Sequence, residues 1–132
     1  MCFLVDGFDL YHFILEALRL NPAASMKWLD LSGFRRSLLP CLSKDARLER
    51  VFYFSATADF RPDKAARHGV YVSALRATGV EVQMTRFKEK EVTCPACRVE
   101  FKRHEEKQTD VAVAVKLLEV PDDQLIWKPA GW

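Results

Sequence analysis

Three groups of residues have the types and spacing that chemistry needs. The first is Asp6 with Asp9 in 5-VDGFDLYH-12, where a short apolar run, 2-CFLV-5, stops at a carboxylate. A carboxylate at a strand end suits Mg2+ or Mn2+, hard ions that take oxygen ligands and keep several waters. The plainer role is a turn at Asp6-Gly7, with Asp9 capping the helix that follows. Asp9 reads as such a cap, or as a group standing behind the metal ligand. The second group is Thr109-Asp110. An acid in a helix's first turn is favoured by the helix dipole in any case. If that helix opens at the same crevice as Asp6, the two carboxylates need a cation between them.

The third group is Cys94 and Cys97 in 94-CPAC-97, with His104 seven residues beyond. Two thiolates on a tight turn form the usual knuckle for Zn2+, which takes four sulfur or imidazole ligands. His104 is the expected third ligand. The fourth stays open among Cys2, Cys41, His68, Glu105 and a partner chain. A redox pair would sit where a helix start lowers a thiol pKa. This pair lies inside a charged insert, 88–108, upstream of the helix that Thr109 begins, so zinc is the preferred reading. Lys102 and Arg103 belong to a basic run from Arg86 to Lys107, interleaved with glutamates and with Phe87 and Phe101. Such a run can track a nucleic-acid backbone, although a solvated charged face is the commoner explanation.

The elements that must position these residues follow from periodicity. Residues 2–5 and 50–55 read as strands, and 80–84 as a third strand running towards Phe87. Residues 10–20 place Leu10, Phe13, Ile14, Ala17 and Leu18 at helical spacing. A weaker helix runs from Leu31 to Leu42, and another starts at Pro62 and ends at Thr78-Gly79. The piece 109-TDVAVAVKLLE-119 alternates like a strand, yet Val111, Ala114, Val115 and Leu118 share one helical face. With Thr109 as N-cap and good helix formers within, it is expected to be a helix. Strands alternating with helices predict an α/β domain with a parallel sheet, whose carboxyl ends open into one crevice.

At 132 residues, half of them apolar, the chain suits one domain with a real core. A net charge of +2 is too near balance to point to a partner by itself. No apolar run approaches the roughly 20 residues of a membrane span. The amino end has no secretory-signal layout. A cytoplasmic location with reduced thiols is expected.

Together these pieces resemble the NYN domain, a PIN-like group of predicted metal-dependent ribonucleases. The resemblance rests on 5-VDGFDLYH-12, 52-FYFSA-56, 62-PDKAARHGVYVSALRATGVEV-82 and 105-EEKQTDVAVAVKLLE-119, in the family's order. A Cys-x-x-Cys insert just before the last helix also resembles some bacterial members. The resemblance implies a Rossmann-like α/β/α sandwich that hydrolyses RNA with a divalent metal. Asp6 and Asp110 would be its catalytic, metal-binding acids, and Arg67 would join Lys102 and Arg103 in RNA binding. Asp9 stands where the family usually has Asn. The family continues into a further strand ending in a Ser-Gly-Asp-x-Asp type motif, whereas this chain reads 120-VPDDQLIWKPAGW-132. The C-terminal part of the domain is therefore expected to be missing. The first strand would then be an exposed edge through which copies of the chain could pair. A non-catalytic RNA-binding or protein-interaction module stabilised by zinc is the alternative.

Overall fold

Alternation along the strands decides which helices cover which face. In the computed structural model, which describes residues 1–23, 28–42, 44–45, 47–106 and 108–121 (backbone only for 104–106), four strands form one sheet in the order β1-β2-β3-β4. Strands β1 (Cys2–Asp6), β2 (Arg50–Thr57) and β3 (Glu81–Thr93) run parallel, and β4 (Glu100–Glu106) pairs antiparallel with β3. The helices are α1 (Gly7–Leu20), α2 (Leu31–Leu42), α3 (Pro62–Ala77) and α4 (Thr109–Glu119). The expected α/β class is present, the sheet is mixed instead of purely parallel because β4 runs antiparallel, and the segment from Thr109 is a helix. No described helix is long and apolar enough to cross a membrane.

Side chains of successive strand residues point to opposite faces, and the core divides accordingly. Phe3, Val5, Val51, Tyr53 and Val82 pack with Leu10 of α1, Leu31 of α2 and Leu75 of α3. Cys2, Leu4, Phe52 and Phe54 pack with Ala112 and Val113 of α4 and with Val120. Strand β2 is buried from Val51 through Ala56, as a central strand covered on both faces must be. Burying apolar surface at roughly 25 cal/mol per Å2 makes this strand the main anchor of the fold.

Three expectations change at this level. The 88–108 insert is a β-hairpin: β3 runs on past its last β2 partner, Arg86, and pairs with β4 from Phe87↔Glu106 to Thr93↔Glu100. On α4, the expected face points outward, since Val111, Val115 and Leu118 are exposed while Ala112 and Val113 meet the sheet. On α1, Phe13 leaves the buried face and is 74% exposed. Both helices are apolar over more than one stripe, and the sheet can cover only one of them.

Among the described residues β1 pairs with β2 alone, so it stands at the sheet's edge. Asp122, Asp123 and the rest of the atypical ending lie outside the described residues.

Candidate functional site

Asp6 ends β1 and caps α1. Its Oδ1 accepts the backbone N–H groups of Phe8 at 2.8 Å and Asp9 at 3.2 Å, satisfying two of the donors that a helix start leaves open. Capping therefore falls to Asp6, not Asp9; Asp9 is exposed in the first turn, where its charge complements the dipole. Gly7 lets the helix start press onto β2. A Cβ at position 7 would lie 2.6 Å from the Tyr53 hydroxyl and 2.9 Å from the Phe54 carbonyl oxygen.

Asp110 opens α4 at the same end of the sheet. Gln108 caps this helix in the left-handed region, at φ 79°, and its carbonyl accepts the Ala112 N–H at 2.8 Å. Thr109 is thus the first helical residue and not the cap expected of it. Its buried hydroxyl lies 3.0 Å from that of Thr85, which in turn donates to the Ser55 carbonyl at 3.3 Å. Since Thr85 has one proton to give, Thr109 donates to Thr85. This chain of bonds pins the start of α4 to the carboxyl end of β2 and the inner half of β3. Asp6 is registered on Phe54 and Thr85 on Ala56, so their Cα atoms lie two strands apart, roughly 12 Å by strand spacing and rise. Asp6 and exposed Asp110 share this rim. Among the described residues, however, no three His, Cys, Asp or Glu side chains are grouped to hold an ion.

On the opposite face of β2 the rim holds groups that spacing did not reveal. Ser55 Oγ lies 3.3 Å from His68 Nε2 of α3. Burial lowers the His68 pKa, favouring the neutral ring. His68 is therefore engaged inside the fold and does not complete a site with the cysteines. Burial also raises the Tyr53 hydroxyl, with bonding to Ser55 opposing and the Asp6 charge adding. Tyr71, whose hydroxyl donates to the Leu29 carbonyl, is pushed up to about 12 by burial, then by Tyr53 and Asp30.

Three aromatic rings flank the rim. Phe8, in the first turn of α1, meets Phe87 edge-on at 5.6 Å, and Phe60, in the loop after β2, meets Phe87 at 5.5 Å. Phe60 is 42% exposed. Just beyond it, α3 carries Arg67, exposed, with its Nε donating to the Asp63 carbonyl at 3.3 Å.

Pairing sorts the charges of the hairpin. Directly opposed residues share a face, so Lys88, Lys90, Val92, Phe101 and Arg103 fall on one side. Glu89, Glu91, Thr93, Glu100 and Lys102 fall on the other. Arg103 thus belongs to a basic, partly apolar face. Lys102 sits among acids and forms an ion pair with Glu89 at 3.0 Å.

Cys94 and Cys97 form the hairpin's tip. The Cys94 N–H donates to the Val99 carbonyl at 2.9 Å and the Arg98 N–H to the Cys94 carbonyl at 2.8 Å, with Arg98 in the left-handed region at φ 56°. The Cys94 sulfur accepts from the Cys97 N–H, the Ala96 N–H and the Cys97 thiol, and these bonds lower its pKa. His104, expected as third ligand, pairs with Glu89, four residues down from the Thr93↔Glu100 pair. Strand rise puts it roughly 14 Å from that pair, beyond the reach of an imidazole to the tip. The expectation treated the connection as a loop, and the chain made it a strand. The side chains of His104 and Glu105 lie outside the described residues. Cys2 is buried beneath α4, and Cys41 is exposed in the last turn of α2.

No protein-family model, no curated protein and no solved structure matches this chain. What the site can do therefore follows from its own geometry.

Proposed function

We propose that this chain is an RNA-binding domain of the metal-dependent ribonuclease type, with Asp6 and Asp110 as its metal-binding acids. The carrying observation is that the end of β1 and the start of α4 open at one rim of the parallel sheet. This is the rim where α/β sheets bind ligands. The resemblance to NYN domains points the same way, and the PIN-like sandwich belongs to this proposal.

Mg2+ or Mn2+ suits two carboxylates because such an ion keeps most of its waters and needs only one or two acidic side chains. Both capping bonds use Oδ1 of Asp6, so an ion would take Oδ2. When bound, the ion would lower the pKa of a water and offset charge on the leaving oxygen. The protein's own part is to place the strand. Phe60 offers a ring for a base to stack on, and Lys88, Arg103 and Arg67 offer cations to phosphates.

The test is cleavage of a labelled single-stranded RNA by the full chain with Mn2+. Turnover that disappears in Asp6→Asn and in Asp110→Asn supports the reading. Turnover that survives in the double variant removes the acids from it. Because no group of three ligands stands at the rim among the described residues, a second reading keeps its place. Salt-dependent RNA binding without turnover would assign the chain as a non-catalytic binding module.

A further inference from the structure

The hairpin is an arm. Beyond Arg86, among the described residues, β3 has no partner strand except β4, and the far end carries two thiols on one tight turn. The turn is closed by backbone bonds on both sides of the pair: the Cys94 N–H donates to the Val99 carbonyl and the Arg98 N–H to the Cys94 carbonyl, which leaves Cys97 exposed and Cys94 half-buried. Two thiols on one turn can share one ion, but two ligands do not satisfy Zn2+, which takes four in structural sites.

Among the described residues the arm does not supply the rest. His104 is roughly 14 Å down the strand. Glu100, which closes the turn, makes no three-ligand group with the cysteines among the described residues. Cys2 sits at the amino end of β1, and the tip lies past the carboxyl end of β3, about 40 Å further along the sheet. His68 is held by Ser55.

We propose that Cys94 and Cys97 are half of a tetrahedral zinc site, which a second copy of this chain completes with the same two residues, joining two arms tip to tip. Twofold symmetry makes the half-sites self-complementary and closes the assembly at two chains. Four thiols bind one Zn2+ and release four protons, leaving a tetrathiolate of net charge −2. Arg98, next to Cys97 in each copy, brings two positive charges beside that centre and offsets it. The proposal stands apart from the RNA-cleaving reading, since the arm's tip is remote from Asp6 and Asp110.

The experiment is zinc titration of the reduced full chain, followed by metal analysis and sedimentation equilibrium. One zinc per two chains, a doubled mass, and all-sulfur coordination by X-ray absorption are expected. Chelation should return monomers whose circular dichroism is unchanged, because the tip lies outside both core clusters. Cys94→Ser and Cys97→Ser should be folded, zinc-free monomers, while His104→Ala should behave as the parent. One zinc per monomer, or loss of zinc in His104→Ala, would mean the site is completed within one chain and overturns the bridge. Folded reduced protein that takes up no zinc overturns it as well. A dimer that survives chelation assigns association to another surface, such as the edge of β1, and equally overturns it.

Discussion

Asp6 shows how one carboxylate can hold two assignments that experiment can separate. As an N-cap it is replaceable by Asn, which caps equally well, but not by Ala. Asp6→Ala should therefore cost about 1 kcal/mol in urea unfolding, while Asp6→Asn stays close to the parent. If Asp6→Asn nevertheless loses Mn2+-dependent turnover, the charge matters beyond the cap. His68 gives a second residue-scale prediction. Burial holds its folded pKa below the ordinary 6.5, so the unfolded chain takes up a proton first as pH falls. Its contribution is fully present above that value and is lost as pH drops through the lowered one. Between about pH 7.5 and about pH 5.5 the melting temperature should fall, and His68→Gln should show a smaller fall.

At the scale of elements, α4 separates what pattern reveals from what packing decides. Val113 meets the sheet and Val115 is half exposed. Val113→Ala should cost about 1 kcal/mol, roughly two partly buried methyl groups less a gain in helix propensity. Val115→Ala should stay within about 0.5 kcal/mol of the parent. Sequence pattern located this helix, although it set the cap one residue late, at Thr109 instead of Gln108. It could not choose the buried face, because Val and Ala surround the axis and only the Thr109–Thr85 bond and the sheet fix the rotation. The strands of the core were legible because burial on one or both faces leaves a hydrophobic signature. The outer half of β3 with β4 was not, since a ribbon wet on both sides has no such period. Its one apolar pair, Val92↔Phe101, flanks the turn and was the available clue. Ser55 and His68 escaped notice as a pair because they are 13 residues apart on different elements. Asp6 was legible as a strand-end acid, but its capping bonds depend on where α1 begins.

Over the whole molecule the near-neutral charge hides a local division. The basic hairpin face and its acidic reverse cancel in the sum. If RNA lies along the basic face, binding should weaken with salt, and the slope should shrink by about 0.7 for each phosphate left without its cation. Lys88→Gln with Arg103→Gln should thus flatten the log–log salt dependence by about 1.4. Lys102→Gln, on the other face and tied to Glu89, should leave it nearly unchanged. Fluorescence anisotropy over a salt series measures all three.

Strand β3 is a single uninterrupted run of 13 residues, so body and arm are one beam rather than two parts on a hinge. Its inner half carries Thr85, the post to which the beginning of α4 is tied. Torque applied at the far end would travel through twisted backbone and not be absorbed by a slack joint.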